Sequence, residues 1–197
     1  MSVTTLLLAL IVVVSVAGLS FAPALIARGV LRPYWLVPQR QYATLLTSGF
    51  LHANLAHLAF NGITLWSFGR ALESVIGSGR FLLLYALGLL VSNLGTWWQH
   101  RSDPNYASLG ASGAILAVLF ASIVYFPTQS LYVLPIPVPI PAPLFAVGYL
   151  GYSWYASRHL RGHINHDAHI SGAIFGLAFV ALTDPLAWQR AIALMMH

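Results

Sequence analysis

Long apolar runs alternate with short polar breaks along the whole chain, and the runs recur at the length of a membrane-crossing helix. Crossing a hydrocarbon core of roughly 30 Å takes about 20 mostly apolar helical residues. The first run, Thr4 to Ile26, carries no charge and predicts one such helix. Ala22-Pro23-Ala24 imitates a signal-peptidase site, yet no positive segment precedes the run and its apolarity continues past the site, so a retained span is expected. Further helices are predicted from about Phe50 to Phe68, closed by Gly69 and Arg70, and from about Arg80 to Trp98. A fourth begins near Ser112 and ends at Pro127, a fifth covers roughly Pro143 to Tyr155, and a sixth roughly Ala168 to Leu182. Between the fourth and fifth, LPIPVPIPAP places proline at 135, 137, 139, 141 and 143. Alternate prolines remove backbone donors and forbid a helix, so an extended, stiff connector is expected there. No soluble domain, repeat or charge run interrupts the pattern. The expected architecture is an all-α integral membrane protein, with residues 1–197 forming one domain.

Composition agrees with burial in lipid. Hydrophobic residues make up 58% of the chain and charged residues 7%, against about 25% charged in a soluble domain. The net charge of +5 comes from nine arginines, with no lysine, against Glu73, Asp103, Asp167 and Asp184. Those arginines stand singly between apolar runs, without the basic cluster that nucleic-acid binding needs. The absence of cysteine removes disulfides, thiol nucleophiles, and Cys-ligated zinc or iron–sulfur chemistry.

Polar side chains inside spans are expensive, so the few present are candidates for function. The second helix carries His57 and Asn61, four residues apart and therefore on one face. The fourth opens with Gly110-Ala111-Ser112-Gly113, and the sixth with Asp167-Ala168-His169 followed by Ser171-Gly172 and Gly176. Alternating spans make helices two, four and six parallel, so Ser112 and His169 lie at similar depth near one membrane face. Gly172-x-x-x-Gly176, with Gly110 and Gly113 opposite, permits close backbone contact in lipid, short enough for a serine–histidine hydrogen bond. Histidine near neutral pH can take the proton of a serine hydroxyl. His57, the Asn61 amide and the Ser112 backbone N–H, at the positive end of a helix, could hold the resulting oxyanion. This combination describes acyl transfer, here hydrolysis.

Plainer roles are open to each part. Ser112 could pack beside Gly113, His57 and Asn61 could bridge helices, and His169 could cap a helix or line an ion path. Asp167, two residues before His169, points to another side of the helix and reads as an N-cap. His159, His163, His166 and His169 read as solvated loop residues before a metal set, and no metal is expected.

His57-Leu-Ala-Phe-Asn61, Gly110-Ala-Ser112-Gly113 and Ala168-His169-Ile-Ser-Gly172, with Phe68-Gly69, Glu73 and Gly77, resemble a rhomboid intramembrane serine protease over about 47–182. The resemblance implies a six-transmembrane-helix bundle whose first helix covers about 4–26. It makes Ser112 the nucleophile and His169 the base, without a third acid, and makes His57, Asn61 and the Ser112 backbone the oxyanion site. It implies transmembrane protein substrates, a lipid bilayer as surroundings, no cofactor, and a cap over the site from about Ser157 to His166. A place in a bacterial inner membrane, with the site on the extracytoplasmic side, also follows from it. Three features depart from the family. Ala43-Thr44 stand where many members have Trp-Arg, and the first loop is short, so reduced membrane-surface structure is expected there. Leu116 stands four residues after the serine, where some members pack an aromatic on the catalytic histidine. The implied orientation puts Arg28, Arg32, Arg40, Arg101, Arg158 and Arg161 outside and only Arg70, Arg80 and Arg190 inside, the reverse of the positive-inside rule. Two rival readings are an inactive rhomboid-like protein that binds transmembrane clients and a small transporter. The transporter lacks an inverted repeat and a carboxylate deep in a span.

Overall fold

In the computed structural model, which describes residues 1–133, 138–160, 162 and 164–196, the apolar runs are helices. They are α1 (Val3–Ser20), α5 (Leu55–Ile76), α6 (Ser78–His100), α7 (Ser112–Tyr125), α8 (Ala142–His159) and α9 (His166–Thr183). By length and composition two of them can cross a membrane alone, Val3–Ser20 and Ser78–His100. A third span follows if α9 is counted together with α10 (Pro185–Met195), from which it is bent by 108°. Six spans are therefore more than these criteria identify.

The boundaries differ from expectation for local reasons. The first run breaks at Phe21-Ala22, and Pro23 starts a separate helix α2 (Pro23–Gly29), a position where its missing N–H is harmless. The first loop is not bare. It holds α2, α3 (Pro33–Leu36), α4 (Thr44–Thr47) and a 3-10 turn, Ser48–Phe50. The helix expected from Phe50 starts only at Leu55, where the Asn54 side chain accepts from the His57 N–H at 2.8 Å. It runs through Gly69 and Arg70 to Ile76 and stops at Gly77, whose φ of 81° suits glycine. Gly69 is a packing position rather than a terminator, since a Cβ there would meet Thr4 Cγ2 at 2.8 Å.

Glu73 explains why α5 continues. Its carboxylate accepts from the N–H of Val3 and Thr4 at 2.8 Å, and from the Thr4 and Ser78 hydroxyls at 2.7 Å. A buried carboxylate thus caps the start of α1, where orphan N–H groups and the positive helix end favour an anion.

The connector is extended, but it folds back on itself instead of acting as a straight spacer. β1 (Ser130–Tyr132) pairs antiparallel with β2 (Pro139–Pro141), placing Leu131 opposite Ile140. Pro135 and Pro137 lie outside the described residues. α8 begins directly after β2. At the other end of the chain, the unanticipated α10 starts where Asp184 accepts from the Ala187 N–H at 3.2 Å.

α7 is the axis of the core, with every residue from Gly113 to Val124 buried. It packs among α5, α6 and α9. Its contact with α9 is backbone against backbone: a Cβ on Gly172 would lie 2.8 Å from the Gly113 carbonyl carbon, and one on Gly176 would lie 2.9 Å from that of Ala117. Gly172 and Gly176 thus mark the line along which α9 meets α7.

Candidate active site

Ser112 is the first residue of α7, and the loop before it is tied down on three sides. Ser108 and Leu31 exchange backbone hydrogen bonds at 2.9 and 3.0 Å, and the Gly110 N–H donates to the Ser48 carbonyl at 2.9 Å. Gly110 has a φ of 129°, and a Cβ there would sit 2.6 Å from the His57 ring. Both facts demand glycine, and together they place His57 against the loop that precedes Ser112.

His52 supplies the third tie, one that sequence reasoning missed. Its ring is fully buried; Nδ1 lies 2.8 Å from Ser15 Oγ, and Nε2 accepts the Ala111 N–H at 3.5 Å. Ser15 in turn donates to the Phe50 carbonyl at 3.0 Å. The chain of donors is self-consistent if Nδ1 of His52 carries the proton. His52 lies in the loop ahead of α5, where burial, and secondarily the neighbouring His57, push its pKa down to about 4.

His169 reaches the same point from α9. Its Nε2 lies 2.8 Å from Ser112 Oγ, and both residues are partly buried. Its Nδ1 lies 2.8 Å from the Tyr149 hydroxyl on α8. The Leu116 side chain is buried with Phe120 and Ala173, in a cluster against which Phe145 and Tyr149 pack.

Asn61 sits one turn after His57 and is buried, its amide donating to the His57 carbonyl at 2.9 Å. That bond uses one of two amide protons. Asp167 is neither a member of the Ser112–His169 pair nor the N-cap it was expected to be. Its carboxylate lies 2.9 Å from His100 Nε2, while Asn165 caps α9 by accepting from the Ala168 N–H at 3.0 Å. The Asn165 amide also donates to the hydroxyls of Thr96 and Ser108 at 2.8 Å, locking α9 to α6 and to the loop before Ser112. An Asn two residues upstream of the aspartate was the available signal. The His166 ring lies 5.8 Å from that of His169, and His159 bonds the Tyr155 carbonyl; His163 lies outside the described residues, as does Arg161. The described part of the segment expected to form a cap leaves Leu160, Gly162 and Ile164 exposed between α8 and α9.

The matched family model is the Rhomboid domain, over residues 39–185, which includes every residue of this site except Ser15 and Leu31. The chain belongs to the rhomboid family. It is 35% identical over 153 residues to Rhomboid protease GluP of Bacillus subtilis (strain 168), covering 77% of this chain and 28% of that one. It is 30% identical over 157 residues to the human Presenilin-associated rhomboid-like protein, mitochondrial, covering 74% and 39%. It is 31% identical over 164 residues to Rhomboid protein 1, mitochondrial, of Saccharomyces cerevisiae, covering 76% and 45%. The matched rhomboid region thus spans less than half the length of each of these relatives. This rhomboid is a membrane protein. With mitochondrial relatives beside the bacterial one, the expected bacterial inner membrane has no support from them.

Proposed function

We propose that this rhomboid is an intramembrane serine protease, cutting peptide bonds in or next to transmembrane helices of membrane proteins. The observation that carries the reading is the 2.8 Å approach of His169 Nε2 to Ser112 Oγ, between helices 57 residues apart in sequence. His169 accepts the Ser112 proton as Oγ attacks the scissile carbonyl carbon. The oxyanion receives hydrogen bonds from the Ser112 backbone N–H, His57 and the second Asn61 amide proton, aided by the positive end of α7. His169 then protonates the leaving amine, and a water activated in the same way hydrolyses the acyl-enzyme. Like the resemblance, this route calls for no cofactor.

Residues 1–197 act as one rhomboid unit whose six long helices cross the bilayer. α7 has 14 residues, about 21 Å of helix at 1.5 Å per residue, against a core of roughly 30 Å. With its far end at one interface, Ser112 lies within the membrane, a depth suited to a bond at the end of a transmembrane helix. Six spans put both termini on the face opposite Ser112. Arg28, Arg32, Arg40, Arg101 and Arg158 cluster at the Ser112 end, so an accessible reporter at the C-terminus, compared with one in the α6–α7 loop, tests the orientation.

The deciding experiment uses purified wild type, Ser112→Ala and His169→Ala in detergent with a fluorophosphonate probe, and then model transmembrane substrates. Labelling and cleavage by wild type alone support the proposal. A folded wild type that neither labels nor cleaves refutes it and favours a rhomboid-like client binder.

A further inference from the structure

We propose that Tyr149 is a positioning residue that holds the His169 ring in the tautomer able to accept the Ser112 proton, filling the place a carboxylate takes in a Ser–His–Asp triad. This rests on the reading of Ser112 and His169 as nucleophile and base. A serine hydroxyl can donate to Nε2 only if that nitrogen is unprotonated, so the neutral ring must carry its proton on Nδ1. That N–H needs an acceptor. Among the described residues the Tyr149 oxygen, at 2.8 Å, is the group hydrogen-bonded to Nδ1. Asp167, the carboxylate nearest in sequence, is committed to His100 at 2.9 Å.

The phenol is itself held in place. Its ring lies 6.0 Å from that of Phe120 on α7 and 5.4 Å from that of Phe145, one turn earlier on α8. It is tilted 27° to the His169 ring at 6.3 Å. Leu116, on the face of α7 towards this cluster, is buried in it. The base of this rhomboid is therefore oriented from α8 by a hydrogen bond. The phenol stays neutral and keeps its own proton throughout, fixing the tautomer without lending charge to the imidazolium. Removing it costs less than the roughly 10⁴-fold seen when a triad aspartate is replaced.

Tyr149→Phe keeps the ring and removes only the oxygen. In proteoliposomes with a fluorogenic transmembrane substrate, kcat is expected to fall about ten-fold, the worth of one neutral hydrogen bond, with KM within two-fold and the melting temperature lowered by no more than about 4 °C. Nitrogen-15 spectra of the His169 ring in the Ser112→Ala background should show the proton on Nδ1, and a mixed population once Tyr149→Phe is added. Tyr155→Phe removes an exposed hydroxyl from the same helix, away from the pair, and should retain both kcat and tautomer. A kcat for Tyr149→Phe within two-fold of wild type overturns the proposal. An equal loss in Tyr155→Phe does so too, as does a proton on Nε2 in the protein with Tyr149 intact. That last measurement needs neither the variant nor activity, so it stands if wild type proves inactive, which would refute the protease reading instead.

Discussion

Gly172→Ala tests the contact that brings Ser112 to His169. A Cβ built on Gly172 falls 2.8 Å from the carbonyl carbon of Gly113 and 3.1 Å from its Cα. Carbon atoms settle at about 3.5–4.0 Å, so α7 and α9 must part by at least about 0.7 Å there. Both neighbours are backbone, and no side-chain rotation relieves them. His169 lies three residues before Gly172, on the same face of its helix, and Ser112 directly precedes Gly113. The displacement therefore passes to the 2.8 Å bond between Nε2 and Oγ, stretching it to about 3.5 Å, the outer limit of a hydrogen bond. Overpacking of this kind costs about 1–3 kcal/mol, a fall of several degrees in melting temperature for a chain of this size. Misplacing reacting groups by about 1 Å costs on the order of 100-fold in rate, so labelling of Ser112 by a fluorophosphonate should slow by some tens of fold. Gly176→Ala, one turn further from the pair, meets the Ala117 carbonyl carbon at 2.9 Å; it should destabilise equally but slow labelling less. Gly148→Ala on α8, with nothing within 4 Å of its Cβ, is the control. Wild-type labelling and unfolding in Gly172→Ala, or equal damage from Gly148→Ala, would show that backbone contact does not set the geometry of the pair.

Two other sites give independent tests. Glu73→Gln replaces an acceptor of four hydrogen bonds at the start of α1 with an amide that must point donors at donors. Thermal unfolding should show a loss of about 1–3 kcal/mol, and an unchanged midpoint would remove Glu73 from the account of how α1 is held. His52 predicts a pH dependence. Its pKa is held at about 4 in the folded protein against 6.5 when unfolded, so between these values the unfolded chain binds the extra proton. Stability contributed by the neutral ring is complete above pH 6.5 and is lost as pH falls towards 4, by at most about 3.4 kcal/mol at 1.36 kcal/mol per unit. His52→Gln should flatten that slope in denaturation curves, and equal slopes in variant and wild type would refute the assignment.

The residues readable in the sequence share one property: each is anomalous where it stands. A serine between glycines at a helix start, a histidine and asparagine one turn apart in an apolar run, and a histidine three residues before a GxxxG stripe all break a hydrophobic pattern, and parallel helices bring such breaks to one depth. The residues that were missed break nothing. Tyr149 sits in an aromatic-rich helix with Tyr152, Trp154 and Tyr155, and only the α8–α9 packing singles out the hydroxyl that meets Nδ1. Asn165 was eclipsed by Asp167, because a charge two residues later looks like the stronger cap, whereas the carboxylate finds His100 on a helix that local reasoning does not bring near. The misplaced end of the second helix has the same origin. In its local context Gly69 has the form of a helix stop, but its missing Cβ is occupied by α1, and the partner that justifies it, Thr4, is 65 positions away. Local chemistry thus singles out the candidate reactive groups, while the groups that hold them in register are written in the packing.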